Sequence, residues 1–171
     1  WNDKKDKKFK DAYFNRFKNT WHHGDFAEIK KTRGFIIHGR SDTTLNPGGV
    51  RLGTAEIYSE VEKFKEIKES IVVGQSWDND VRIVLFIVMN TKFLLTEELL
   101  KKIKVQIRKN VSPRHVPNKV IVVKDIPRTK SGKIVELAVK NIIEGNKIKN
   151  KEALANPKAL NQFKNLKELS I

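Results

Sequence analysis

The alternation of apolar and polar positions predicts a small sheet in the middle of the chain. An almost unbroken run of Val, Ile, Leu and Phe from Val81 to Met89 predicts a central strand, because a strand buried on both faces is apolar at nearly every position. Shorter apolar runs at Ile71–Val73 and Lys119–Val123 predict two further strands.

The helical spacing of apolar residues predicts three helices around these strands. Thr54 stands where it can cap the first helix, Thr96 and the two glutamates after it mark the start of the second, and Gly145 closes a third over Val135–Ile143. The apolar faces of the first two helices are Ile57, Val61 and Phe64, and Leu99, Leu100, Ile103 and Ile107. The order helix, strand, strand, helix, strand, helix predicts an α+β fold in which a short sheet is covered by helices.

The two ends of the chain differ from this central unit. Residues 21–29 and Gly34–His38 are predicted to be extended, and we expect residues 1–41 to be the end of another domain. Because the first residue is Trp rather than Met, we expect the chain to be part of a longer protein. Residues 146–171 are polar and rich in Lys and Asn, which predicts a tail with one short helix near Phe163–Leu169.

The charge of the chain is strongly positive. It has 35 Lys and Arg residues against 20 Asp and Glu residues, a net charge of +15, which is typical of nucleic-acid-binding modules. However, the Lys residues are spread over every segment, and no aromatic residues alternate with them to stack on bases. A site for a small anion such as a nucleotide explains part of the charge equally well, and we expect no nucleic-acid partner.

Several classes of site and location are excluded or disfavoured. The chain has no Cys, which excludes disulfides and thiolate metal sites and fits a cytoplasmic protein. Its four His residues lack the spacing of metal ligands, so no metal site is predicted. No apolar run is long enough to span a bilayer, and we expect no membrane partner.

The stretch Pro127–Lys133, Pro-Arg-Thr-Lys-Ser-Gly-Lys, is the strongest candidate for chemistry. It is not a Walker phosphate loop, because that motif needs a Gly and a Ser or Thr where this chain has Ile126 and Ile134. A Lys in such a loop can stabilise negative charge that develops on a phosphate or carboxylate. Lys133 is therefore the candidate catalytic residue, and the alternative is a solvated loop Lys.

Three charged residues in the first part of the chain are candidates for nucleotide binding. Asp25 follows a Gly and could accept two hydrogen bonds from the hydroxyls of a ribose, or it could cap its own turn. Arg40 and Asp42 share one turn between the two halves of the chain. They could meet a ribose or phosphate, or form an exposed ion pair of little energetic value.

A flexible loop follows this turn. Gly48 and Gly49 leave the backbone bare, and Arg51 adds a guanidinium that suits a phosphate. An ordinary turn explains the two glycines equally well.

Four segments together resemble motifs of the adenylate-forming enzymes, the superfamily of acyl-CoA synthetases, luciferases and peptide-synthetase adenylation domains. They are Trp21–Asp25, Gly39–Asp42, Gly49–Gly53 with Glu56–Ile57, and Pro127–Lys133. The first departs from the family pattern, because histidines replace the usual residues before its Gly. Within the superfamily, longer stretches are similar to acetoacetyl-CoA synthetases. These stretches are Ala12–Phe14, Gly39–Arg51, Glu56–Tyr58, Arg114–Pro117, Val135–Lys140 and the tail with Asn156–Pro157.

The resemblance implies a mobile C-terminal lid domain at residues 42–145, preceded by the end of the large N-terminal domain at 1–41 and followed by an extension at 146–171. It implies activation of acetoacetate by ATP with Mg²⁺ and transfer of the acyl group to coenzyme A. The implied roles are catalysis for Lys133, ribose binding for Asp25 and Arg40, phosphate binding for Arg51, a hinge at Asp42, and coenzyme A binding for Gly48, Gly49 and Arg108.

The same resemblance leaves the acid open. The acyl and adenine pockets of such enzymes lie in the N-terminal domain, so an acetyl- or propionyl-specific synthetase is the second enzymatic interpretation. A basic nucleic-acid-binding module is the non-enzymatic one.

Overall fold

A three-stranded sheet lies at the centre of the fold. The computed structural model describes residues 3–148 and 151–170. The strands are β3 (Ile67–Trp77), β4 (Asp80–Met89) and β5 (Lys119–Val122), and β4 lies between the other two, antiparallel to β3 and parallel to β5. The predicted central strand is thereby confirmed.

Both faces of β4 are buried, which explains its unbroken apolar run. Successive side chains of a strand point to opposite faces. On one face, Ile83, Leu85 and Ile87 pack with residues of helices α2 (Thr54–Val61) and α3 (Glu97–Asn110). On the other face, the intervening residues of β4 pack with helix α4 (Glu136–Ile143) and with the end of the chain; they are Val84, Phe86 and Val88. The fold is the α+β arrangement that the pattern predicts.

Strand β3 is longer than its apolar residues indicate. The prediction covered Ile71–Val73, but pairing with β4 continues to Trp77, where Asp78 and Asn79 form the turn. Both turn residues have positive φ, 49° and 58°, which matches the twist of a tight two-residue hairpin. The polar residues before the turn remain in the strand because their backbone groups pair with β4.

Tyr58 of α2 connects the edge strand β3 to α4. Its hydroxyl accepts a hydrogen bond from the backbone N–H of Val72 at 3.0 Å and donates one to Glu136 at 2.5 Å. Burial is the main cause that raises the pKa of this phenol well above its usual value, and the charge of Glu136 raises it further. The hydroxyl therefore keeps its proton and remains a hydrogen-bond donor. An edge strand carries free backbone donors, and the Tyr58 hydroxyl satisfies one of them.

The two predicted threonine caps have different outcomes. Thr96 caps α3 as predicted, since its hydroxyl accepts a hydrogen bond from the N–H of Leu99 at 3.2 Å. The prediction for Thr54 is wrong: α2 begins at Thr54 itself, Gly53 takes the capping position, and no side chain caps the helix. Thr54 is buried instead, with its hydroxyl packed toward Gly39.

Residues before the central unit form a separate small assembly. Helix α1 (Lys7–Tyr13) is followed by an antiparallel hairpin of β1 (Asp25–Ile29) and β2 (Phe35–Arg40). The ring of Tyr13 stacks on that of Trp21 with centroids 4.1 Å apart. Strand β2 lies against α2, which connects this assembly to the central unit.

The end of the chain completes the second core. The predicted helix near Phe163–Leu169 is wrong, because the structure has short 3₁₀ turns at Pro157–Phe163 and Lys167–Leu169. Asn165 between them has φ of 51°, which interrupts any continuous helix. The Phe163 ring is fully buried and meets the Phe86 ring edge-on at 4.9 Å.

A buried arginine anchors the last turn. The Arg82 guanidinium donates hydrogen bonds to the Leu169 carbonyl and to the Gln75 side chain, and it lies 3.7 Å from the centroid of the Trp77 ring.

Short 3₁₀ turns also occur at Lys4–Asp6, Pro47–Gly49, Pro113–His115 and Lys151–Ala153. Within the described residues, no helix is long and apolar enough to cross a membrane.

Substitution Phe163→Ala is expected to lower the free energy of unfolding by about 3–5 kcal/mol, because it leaves a cavity against Phe86 in a core that the tail closes. Urea unfolding of the chain measures this loss. Phe35→Ala is the matched control, since that ring is 70% exposed and its removal should cost much less. Equal losses for the two variants would show that the tail is not part of the folded core.

Candidate active-site loops

The loop that carries Lys133 is a tight, hydrogen-bonded turn. Arg128 and Ile134 form an antiparallel bridge at its base. The N–H of Thr129 donates to the Lys133 carbonyl, and the N–H of Gly132 donates to the Thr129 carbonyl, both at 2.8 Å. Gly132 has φ of 84°, a conformation that favours glycine. These bonds fix the backbone on which the Lys133 side chain is carried.

Side-chain and backbone contacts attach this loop to the rest of the fold. The Arg128 guanidinium pairs with Glu69 of β3 at 3.0 Å and also donates to the Gly132 carbonyl at 3.2 Å. The N–H of Lys130 donates to the Ala153 carbonyl at 3.1 Å, so the tail supports the loop as well. A loop that is held at both ends presents its side chains in a reproducible position.

The ammonium of Lys133 is available to a ligand. The residue is exposed, and no ion pair or hydrogen bond of its ammonium occurs within residues 3–148 and 151–170. A compact positive charge without a protein partner can approach a phosphate or carboxylate oxygen without first breaking an ion pair.

The structure brings Asp25, Arg40 and Asp42 together. Asp25 and Arg40 are paired residues of β1 and β2. Arg40 donates two hydrogen bonds to the Asp42 carboxylate, at 3.2 and 3.1 Å, and a longer one to the His23 carbonyl. These Asp42 bonds raise the pKa of Arg40; burial opposes the rise, and the charges of Asp42 and Asp25 add to it. Arg40 therefore stays charged and partly engaged at the turn.

Gly24 before this cluster has a backbone conformation that favours glycine. Its φ is 91°, and a Cβ placed there would also lie 3.0 Å from a guanidinium nitrogen of Arg40. The Gly24 carbonyl accepts hydrogen bonds from both the N–H and the hydroxyl of Ser41. A side chain at this position would be strained by the positive φ, which explains the Gly of the motif physically.

The loop with Gly48 and Gly49 is open on its outer side. Their φ angles are 57° and 77°, and nothing lies within 4 Å of a Cβ placed on either residue. The predicted turn is confirmed as a 3₁₀ turn at Pro47–Gly49. Buried Leu45 and Leu52 close the loop through two backbone hydrogen bonds.

Arg51 and Arg108 are on different segments of the chain from Lys133. Arg51 is exposed and lines a cavity of about 200 Å³ together with Arg16, Ser41 and other polar residues near the turn. Arg108 is exposed on the last turn of α3. Among the described residues, no hydrogen bond or ion pair joins Lys133, Arg51 and Arg108 to one another.

Comparison with known proteins gives the family. Residues 56–133 match the family model described as the AMP-binding enzyme C-terminal domain. Residues 56–133 therefore belong to the family of AMP-binding enzyme C-terminal domains.

Full-length relatives cover nearly the whole chain. An acetoacetyl-coenzyme A synthetase of Rhizobium meliloti (strain 1021) is 59% identical over 169 residues, and an acetoacetyl-CoA synthetase of Xenopus tropicalis is 47% identical over 171 residues; each match covers 99% of this chain. The solved acetoacetyl-CoA synthetase from Streptomyces lividans superimposes with a TM-score of 0.88 at 38% identity over 95% of the chain. The chain spans only about a quarter of the length of these proteins: 26% of the Rhizobium meliloti protein and 25% of each of the other two.

The AMP-binding C-terminal domain is held against the β1–β2 hairpin by a contact that the sequence reasoning missed. Glu56 accepts a hydrogen bond from the buried His115 at 2.8 Å, and its other oxygen lies 3.7 Å from His38 of β2. A Cβ on Gly53 would lie 2.5 Å from the His38 carbonyl oxygen, so only glycine allows this approach. The Glu56–Ile57 pair was recognised as part of a motif, but nothing in the sequence links Glu56 to either histidine.

Proposed function

We propose that the chain is the C-terminal part of an ATP-dependent acid–thiol ligase that converts acetoacetate into acetoacetyl-CoA. The observation that carries the proposal is the 59% identity to an acetoacetyl-coenzyme A synthetase over nearly the whole chain. The exposed Lys133 on a hydrogen-bonded loop supports it, because such a ligase needs a positive charge beside the reacting carboxylate and phosphate.

In the first proposed step, a carboxylate oxygen of acetoacetate attacks the α-phosphorus of ATP. A new P–O bond forms, the bond to the β-phosphate oxygen breaks, and pyrophosphate leaves. Lys133 would stabilise the negative charge that builds up on the phosphate oxygens. Asp25 and Arg40 would bind the ribose hydroxyls, and Arg51 would contact the phosphate.

In the second proposed step, the sulfur of coenzyme A attacks the acyl carbonyl of acetoacetyl-AMP. A C–S bond forms, the C–O bond to AMP breaks, and the thiol proton passes to solvent. The lid would turn about Asp42 between the two steps, so that Gly48 and Gly49 line the path of the pantetheine arm and Arg108 meets the nucleotide of coenzyme A.

The remaining parts of the site would come from the rest of the protein. The acyl and adenine pockets are proposed to lie in the N-terminal domain of the same chain. Within the described residues, no group of three or more His, Cys, Asp and Glu residues gathers to hold a metal. We therefore propose that Mg²⁺ arrives with the triphosphate of ATP. A cytoplasmic location belongs to the same proposal.

The acid can be tested on the full-length protein. We expect kcat/KM for acetoacetate to exceed that for acetate or propionate by at least about tenfold, the discrimination available from one differing group in a binding pocket. Acid-dependent release of AMP measures it. Preference for acetate or propionate would support the other short-chain synthetase. Salt-sensitive binding of random duplex DNA without acid-dependent AMP release would support the nucleic-acid module.

Substitution Lys133→Ala in the full-length protein should lower acetoacetate-dependent ATP–pyrophosphate exchange by about 10²- to 10³-fold, because a preorganised charge at the transition state is lost. Formation of acetoacetyl-CoA from supplied acetoacetyl-AMP should change much less. Lys130→Ala is the matched control, since that Lys is exposed on the same loop. An equal loss in both half-reactions would contradict the role proposed for Lys133.

Substitution Gly49→Leu should block thioester formation and largely spare pyrophosphate exchange, because the open space over Gly49 is where the pantetheine arm is proposed to pass. Gly49→Ala separates bulk from backbone strain, since both variants place a side chain at φ of 77°. We expect the Ala variant to keep most thioester formation. If both variants lose both half-reactions together, Gly49 serves only the shape of the turn.

A further inference from the structure

The carboxylate of Asp80 holds the loop that contains Gly48 and Gly49. The N–H of Gly48 donates to both oxygens of Asp80, at 2.8 and 3.0 Å. The two residues are 32 positions apart, and Asp80 is the first residue of β4, directly after the β3–β4 turn. The bond therefore connects a surface loop to the end of the central hairpin.

This hydrogen bond is the main restraint on the tip of the loop. Leu45 and Leu52 fix the two ends, and the N–H of Val50 donates to the Pro47 carbonyl inside the loop. In the described part of the chain, no other hydrogen bond links residues 46–51 to a different segment. Without Asp80, two consecutive glycines would leave this tip free to sample many backbone conformations.

The hairpin is a rigid support for the carboxylate. Trp77 and Asp80 are the last paired residues before the tight turn. The hydrogen bond from Gly48 is the largest cause that lowers the pKa of Asp80. The hydrogen bond from the Val81 N–H lowers this pKa further, and burial opposes both effects. The carboxylate is thus ionised at neutral pH, and an ionised acceptor forms a stronger hydrogen bond than a neutral one.

The orientation of the Gly48 peptide decides which side of the loop is open. With its N–H directed at Asp80, both glycines keep their outer sides clear of protein atoms within 4 Å. Gly49 borders a groove of about 600 Å³ that Asn46, Trp77 and Asp80 also line. An extended, amide-bearing chain can lie against such bare backbone, whereas a loop that collapses into the groove would obstruct it.

We propose that Asp80 is a positioning residue for coenzyme A, because it holds the Gly48–Gly49 loop in the conformation that admits the pantetheine arm. The proposal rests on the function proposed above. Asp80 does not touch the reacting atoms; it acts through the Gly48 backbone.

The test uses Asp80→Ala and Asp80→Asn in the full-length protein, with Asp78→Asn as the matched control. Asp78 is exposed in the same turn and lines the same groove, so its substitution controls for the loss of a negative charge there, and Asn tolerates its φ of 49°. Asp80→Ala should lower kcat/KM for coenzyme A about tenfold, the factor that corresponds to about 1.4 kcal/mol and to the loss of one hydrogen bond to a charged group. Asp80→Asn should recover part of this loss, because its amide oxygen still accepts one hydrogen bond.

Two further measurements separate positioning from folding. Acetoacetate-dependent pyrophosphate exchange should stay within about twofold for all three variants, since the loop is proposed to meet coenzyme A only in the second step. Hydrogen exchange of a peptide spanning residues 46–51 should become faster in Asp80→Ala and remain unchanged in Asp78→Asn.

The outcomes distinguish this inference from the proposed function. If Gly49→Leu blocks thioester formation and Asp80→Ala does not, the role of Asp80 is wrong and the function stands. If Gly49→Leu has no selective effect, the loop does not meet coenzyme A, and both proposals for it are wrong. Loss of both half-reactions in Asp80→Ala, or an equal defect in Asp78→Asn, would assign Asp80 to the stability of the hairpin alone.

Discussion

Burial of β4 on both faces is the constraint on which the rest of the structure depends. Its alternate side chains form two separate cores, one with α2 and α3 and one with α4 and the tail. Because the same strand contributes to both cores, the two layers cannot shift independently. Lys133 is on the loop between β5 and α4, and Gly48 is on the loop before α2. Both loops are therefore attached to one rigid body. The lid proposed above would act in two steps and would need such a body, since both loops would have to move together.

The sequence predicts most of this core because its signals are local. Apolar periodicity of 2 or 3.6 residues depends only on neighbouring positions, so the strands and the face of α3 could be found without a structure. Thr54 shows the limit of that reasoning. Its type and position suit a cap, but Gly53 takes the capping position, and the Gly53 backbone lies close to His38. Local preference alone does not reveal such a contact between segments.

The tail and Asp80 show the same limit at longer range. Residues 146–171 are polar on average, and the sequence does not reveal that Leu160, Phe163 and Leu169 are buried in the fold. Similarly, the Pro127–Lys133 motif is contiguous and could be recognised, whereas the bond between Gly48 and Asp80 joins residues 32 positions apart. Contiguous motifs identify candidate chemistry, but the contacts that hold their backbones in place come from distant segments.

The junction between the β1–β2 hairpin and the central unit is polar, which supports the hinge proposed at Asp42. Its contacts include the Arg40–Asp42 ion pair, the approach of Glu56 to His38, and the backbone contact at Gly53. Among the described residues, the buried apolar clusters include none from β1 or β2. When polar contacts break, their groups form hydrogen bonds with water instead, so the net free-energy cost is small. Separating an apolar interface, in contrast, exposes its whole area to water. The proposed rotation at this junction would therefore break replaceable contacts and leave both cores intact.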